Sequence, residues 1–438
     1  EILESKKNGD IYTLRRAYNL DVNIPDMAKK LLKDAFKVKQ VRSKILFTIF
    51  IILVFRIGTT ITVPGVNAKI LNNLQDVSFL NMLSLVSGNA MRNFSVFALG
   101  VSPYITASIV VQLLQMDLLP KFVEWGKQGE VGRRKLNQAT RYITLVLAFV
   151  QSIGITASFN TLSSISLVKT PNVSTYLLIG TILTAGSIIV TWLGEQITDK
   201  GFGNGVSMII FSGIIASIPK MFSTIYEDFF VNVRSGELTR SYIIVALLIV
   251  VGLAIVFFTT FVQQAEYQIP IQYTKLVQGA PTSSYLPLKV NPAGVIPVIF
   301  ASSITTIPST ILPFFSKVTW LSHLQGLLSY NTPSGMIIYA ILIILFSFFY
   351  TFVQVNPEKT AENLQKNGSY IPSVRPGRET EKYMSSLLKR LATIGAVFLA
   401  FISLAPIAAQ QFMHLTSSIA LGGTSLLILI STGIEGMK

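Results

Sequence analysis

The sequence predicts an all-α, polytopic membrane protein. It would have ten transmembrane helices in two inverted five-helix halves, plus a short re-entrant helix of the kind that plugs a path. Three observations carry this reading. Half of the 438 residues are hydrophobic, only 13% are charged and the mean hydropathy is +0.56, which leaves the chain far short of the charge a soluble domain carries. Apolar runs close to the roughly 20 residues needed for one bilayer crossing recur along the chain, separated by short polar stretches. Most of the 36 Lys and Arg fall in alternate connecting segments.

Taken in order, residues 1–26 are polar and read as an extension, a fusion remnant or a docked partner segment. Residues 27–43 form a basic amphipathic segment with Lys29, Lys30, Lys33, Lys37, Lys39 and Arg42. The N-terminal half, 44–234, offers crossings near 44–63, 94–115, 141–159, 174–197 and 205–222, the first ended by Pro64-Gly65. Within 72–92, the apolar run Val77–Val86 is too short to span and is flanked by Asp76 and Ser87-Gly88-Asn89. Such a segment is tolerated at membrane depth only where protein or water surrounds it. The C-terminal half, 235–438, offers crossings near 242–264, 290–312, 334–355, 385–405 and 416–434, with loops at 263–289 and 356–388. Five crossings per half is an odd number, so the second half enters the membrane upside down relative to the first. Inverted halves commonly clasp a path at their interface.

Charge sets the orientation. The segments at 27–44, 121–141 and 359–390 hold most of the cations. Opposite segments hold only scattered ones such as Lys69, Arg92, Lys169 and Lys317. The positive-inside rule therefore puts both termini in the cytoplasm, and the net charge of +15 reads as an orientation signal rather than a nucleic-acid surface.

Little reaction chemistry is visible. The absence of cysteine excludes disulfides, thiolate metal sites and a Cys nucleophile. His323 and His414 lie far apart in outside loops, and there is no HExxH pattern. The run Gly201-Phe202-Gly203-Asn204-Gly205 follows a helix and lacks the Lys-Ser/Thr ending of a phosphate loop, so it reads as a tight connection. No metal, cofactor or catalytic residue is expected. Arg56 is the one ionisable side chain well inside a crossing, while Glu195 and Asp199 sit at the cytoplasmic edge. Scarce buried carboxylates argue against ion-coupled pumping. Topology alone still leaves a solute transporter or a membrane-embedded enzyme open.

Six stretches are uncommon for membrane helices: FALGVSPYITASI (97–109), GEVGRRK (129–135), TWLGEQITDKGFGNGVS (191–207), LPLKVNPAGVIP (286–297), NLQKNGSYIPSVRPG (363–377) and GGTSLLI (422–428). In content and order they resemble the hallmark segments of the SecY family of bacterial protein-conducting channels. The resemblance implies a clam shell of two halves that opens across the bacterial cytoplasmic membrane and sideways into lipid. It would pass unfolded secretory polypeptides and release membrane segments laterally. By motif, Val101, Ile105, Val206, Ile210, Ile299 and Ile428 would form its apolar pore ring, and Phe79, Leu80, Met82 and Leu85 would lie in its plug. Thr106, Gln151 and Ser303 would flank the lateral gate, with Pro292, Pro297 and Pro308 lending the seventh helix its bending. Arg375 would meet the SecA ATPase or the ribosome, and small SecE and SecG subunits are implied as partners. The chain departs from the family at Ala280-Pro281, where many members carry two arginines, which weakens expected motor contact through that loop. It also stops at Lys438, short of the family's basic tail, so a missing tail is expected.

Overall fold

The computed structural model describes residues 38–67, 87–88, 90–115, 119–162, 168, 171–231, 238–273, 283–311, 327, 332–413 and 422–437. The expectations for 1–26, for most of 27–43 and for Phe79, Leu80, Met82 and Leu85 lie outside these residues.

The described helices are α1 (Lys39–Gly58), α2 (Ser102–Leu113), α3 (Pro120–Lys127), α4 (Gly129–Leu162), α5 (Val173–Lys200) and α6 (Gly205–Tyr226), which runs on into a π-helical turn. They continue with α7 (Leu238–Gln264), α8 (Ile296–Ile311), α9 (Pro333–Gln354), α10 (Pro357–Lys366), α11 (Arg378–Met413) and α12 (Gly422–Met437). Each expected crossing overlaps one of them. Among the described residues, α4, α5, α6, α7, α9 and α11 are long and apolar enough to cross a membrane, and α8 and α12 are shorter apolar helices.

Local chemistry sets several starts. The Asn204 carboxamide accepts from the Ser207 N–H at 3.2 Å and caps α6, and the Thr332 hydroxyl accepts from the Gly335 N–H at 3.3 Å and caps α9. Proline opens the first turn of α2, α3, α9 and α10, where its missing N–H costs nothing.

Two boundaries of the sequence reading change. The second crossing becomes helical only at Ser102 rather than at 94, because Phe94 (φ 41°) and Gly100 (φ 54°) lie in the left-handed region, which a right-handed helix cannot pass through. The loop at 263–289 is not irregular. Strands β1 (Glu266–Tyr273) and β2 (Ser283–Lys289) pair antiparallel, and β3 (Ser369–Tyr370) adds to the other edge of β1 in the order β2-β1-β3. The fold is thus mostly helical with one small sheet. Buried Ile269 and Ile271 alternate with exposed Gln268, Pro270 and Gln272 along β1, and Ile269, Leu288 and Ile371 pack with Met384, Leu388 and Leu391 on the start of α11. That apolar face explains why a sheet forms in a polar connection.

The main core gathers side chains from α1, α2, α5, α6, α8, α9, α11 and α12. Helix α7 touches only its edge, through half-buried Ile255 and Val262. Its best window is 11% buried at a hydropathy of 3.0, so α7 spends most of its apolar surface on lipid and packs on α12. Where the turn before α2 presses on α5, glycine is required: a Cβ on Gly186 would lie 1.9 Å from the Val96 carbonyl oxygen.

Candidate functional site

All six side chains expected to form a ring fall in one apolar cluster. Val101, Ile105 and Ile210 are buried within it, and Val206, Ile299 and Ile428 are half-buried against it. Their positions follow from where helices start. Val101 is the N-cap of α2 and Ile105 sits one turn on; Val206 and Ile210 occupy the first two turns of α6; Ile299 is in the first turn of α8. Ser187 of α5 fixes the approach to Val101, its hydroxyl donating to the Gly100 carbonyl at 3.0 Å. Beside Ile299, the Phe300 ring meets Phe346 and Tyr350 of α9 edge-on, with centroids 5.9 and 6.0 Å apart, which anchors α8.

Ile105, Val206, Ile210 and Ile299 line one cavity of about 350 Å³, while Val101 and Ile428 belong to the cluster but not to that lining. Apart from Ile296 and Phe300, the rest of the lining carries polar groups, Gln112, Asn137, Arg141, Glu195 and Asp199 among them. This cavity, a vestibule, thus joins polar walls to branched aliphatic side chains, a surface that water wets poorly. No metal-ligating cluster of three or more His, Asp or Glu occurs among the described residues.

On the vestibule wall, Arg141 of α4 grips Glu195 of α5 with two hydrogen bonds, Nε to Oε1 at 3.1 Å and Nη2 to Oε2 at 2.6 Å. The pair holds the two helices together with bidentate geometry. Arg141 is 63% exposed, however, so water screens most of the attraction. A double-mutant cycle of Arg141→Leu and Glu195→Leu, read by thermal unfolding of the purified protein, is expected to give a coupling of about 1 kcal/mol or less.

The three expected gate residues are placed as follows. Helix α8 packs against both α2 and α4. Thr106 and Ser303 are buried, and Gln151 is half-buried. Thr106 donates to the Ser102 carbonyl at 3.2 Å and Ser303 to the Ile299 carbonyl at 2.9 Å, so each hydroxyl is satisfied by its own helix. Neither of these two bonds crosses between α2 and α8. Arg375 is exposed in the turn between β3 and α11, which is shaped by positive φ at Ser373 (68°) and Gly377 (95°), and its carbonyl accepts from Thr380 Oγ1 at 2.9 Å. The small sheet backs this turn through Ile371. Sequence reasoning passed over Ser187, Phe300 and the Arg141–Glu195 pair. Only the opposite charges of that pair, at the edges of two expected crossings, carried any signal.

The SecY family model matches residues 95–437. The protein translocase subunit SecY of Streptococcus sanguinis (strain SK36) is 74% identical over 413 residues, covering 93% of this chain and 95% of that protein. The protein of the same description from Bacillus subtilis (strain 168) is 49% identical over 413 residues, covering 93% and 96%. Among solved structures, one described as the structure of a protein conducting channel superposes with a TM-score of 0.61 at 17% identity, covering 90% of this chain and 91% of that one. Sec61 in a canine ribosome-channel complex superposes with a TM-score of 0.57 at 16% identity, with the same coverage.

Proposed function

Because this chain belongs to the SecY family, we propose that it is the multi-pass channel through which unfolded polypeptides thread, sealed at rest by the ring of Val101, Ile105, Val206, Ile210, Ile299 and Ile428. The function itself, conduction of protein across a membrane, is the family's. The finer reading is ours: ten crossings in inverted halves, a plug drawn from 72–92, and both termini in the cytoplasm of a bacterium. The single observation that carries it is that six branched aliphatic side chains, from four helices distant in sequence, belong to one apolar cluster, four of them lining the cavity between polar walls.

The physical need is plain. A peptide in hydrocarbon would leave every N–H and C=O unsatisfied at a cost of several kcal/mol each, so it needs a wet path that shuts when idle. Aliphatic side chains suit that task because they exclude ions when close and bind no particular sequence when parted. A membrane segment would leave sideways between α2 and α4 on one side and α8 and α9 on the other, past Thr106, Gln151 and Ser303. The driving force comes from outside the chain. We assign it to a SecA-type ATPase or a translating ribosome, either one engaging exposed Arg375, with SecE- and SecG-type subunits completing the complex.

A photoreactive residue in place of Ile299 is expected to label a secretory chain arrested in transit. The same group in place of Phe257, 71% exposed on α7, is expected not to label it. Labelling from 257 but never from 299 would put the path elsewhere.

A further inference from the structure

Arg56 is used by nothing described so far, and its geometry is specific. From α1, two residues before Gly58, its guanidinium crosses to two other parts of the chain. Nη1 donates to the carbonyl of Gly88 at 2.8 Å, and Nη2 donates to the carbonyl of Ser212 and, at 3.4 Å, to that of Gly213 in α6. Backbone carbonyls already used in a helix keep a second lone pair for such a donor. Gly88 (φ 65°) lies directly on α6, where a Cβ would stand 2.8 Å from Gly213 Cα and 3.0 Å from Arg56 Nη1. Ser87, Ala90 and Met91 around it are buried, and Ser87 Oγ accepts from the Met91 N–H at 3.3 Å.

The root of the arginine is fixed as well. Phe55 is fully buried and stacks on Phe97 at 5.9 Å, and a Cβ on Gly58 would enter that ring at 1.9 Å. On α6, Ser212 and Gly213 lie two and three residues after Ile210, less than one helical turn on, and the Ile210 side chain lines the vestibule. A cation at membrane depth is costly, and an aliphatic residue would fill the space without that cost. What arginine adds is a rigid fork of donors that reaches several carbonyls at once.

We infer that Arg56 is a positioning residue, a clasp that fastens the backbone at Gly88 and the ring-bearing helix α6 to α1, and so sets how tightly the resting channel excludes ions. The inference rests on the channel reading above and deepens it. Loosening the clasp frees Gly88 to lift from Gly213 and frees Ile210 from its register, and neither movement requires the chain to unfold.

The test is resting ion flux through the complete channel complex in proteoliposomes, alongside membrane accumulation and thermal stability. Arg56→Gln is expected to raise resting flux on the order of tenfold, the factor carried by one charge-assisted hydrogen bond, at near wild-type accumulation. Arg56→Lys, which keeps the charge but loses the fork, should recover part of the seal, and Gly88→Ala should leak as Arg56→Gln does. A purely structural role would lower accumulation and stability together and leave the flux per molecule unchanged, which would overturn the proposal. Deletion of 77–86 separates the two ideas. If the deletion leaks and neither Arg56→Gln nor Gly88→Ala does, the clasp is wrong and the channel stands; if nothing leaks and the intact protein passes no polypeptide, the channel reading falls with it.

Discussion

Gly205→Ala is expected to accumulate poorly in the membrane, with folding destabilised by about 3 kcal/mol or more. By helix propensity alone the change should help, since alanine is worth up to about 1 kcal/mol over glycine inside a helix. Packing reverses the sign. A Cβ on Gly205 would lie 1.7 Å from the Gly194 carbonyl oxygen and 2.9 Å from Ile197 Cβ, so α5 and α6 meet backbone to backbone there. The turn between them has no slack. Thr198 Oγ1 accepts from the Gly205 N–H at 2.9 Å, Thr48 Oγ1 of α1 accepts from the Phe202 N–H at 3.1 Å, and Asn204 caps α6. Making room for one methyl means breaking these bonds or sliding α6, and Val206 and Ile210 would slide with it. Gly252→Ala is the control, because nothing lies within 4 Å of a Cβ at that position on lipid-facing α7. Thermal unfolding of both variants checks the pair, and a Gly205→Ala protein as stable as Gly252→Ala would show that the helices do not touch here.

How much of this was legible from the sequence depends on which physical signal each feature leaves. Crossings such as α5 and α11 write themselves as long apolar runs, because lipid demands length and composition whatever the packing. The sheet at 266–289 left only a faint alternation, Ile269 and Ile271 between polar residues, and two prolines interrupt it. The ring could not be found by spacing at all. Val101, Ile210 and Ile428 look like any core aliphatic, and only the quoted motifs singled them out before the fold brought them together. The start of α2 was misjudged for a similar reason: Phe94 and Gly100 are ordinary letters in an apolar run, and their left-handed backbone is imposed by tertiary contacts such as the Thr62–Ser95 bridge. Arg56 was conspicuous as a lone charge, but the carbonyls it reaches are backbone atoms, and a sequence holds no record of which carbonyls face a side chain.

Ile210→Asn is expected to turn the resting channel leaky, raising ion flux on the order of tenfold or more while the chain still passes polypeptides. Ile210 is 2% exposed and lines the vestibule. An amide there puts a polar group among the aliphatic side chains, and leaving it unsatisfied would cost about 1–3 kcal/mol, a cost that admitting water removes. Water on one ring position draws water to the next, so the barrier fails as a unit. Ile299→Asn should therefore leak similarly, and the double variant should leak less than the product of the singles, since the first polar group has already wetted the lining the second would wet. Ile210→Leu, equal in volume and equally apolar, should keep the seal. Planar-bilayer conductance of the purified complex reads all four. Conductance unchanged in both asparagine variants, with translocation intact, would mean that ions are held back at some other level of the channel and that these aliphatic side chains serve packing alone.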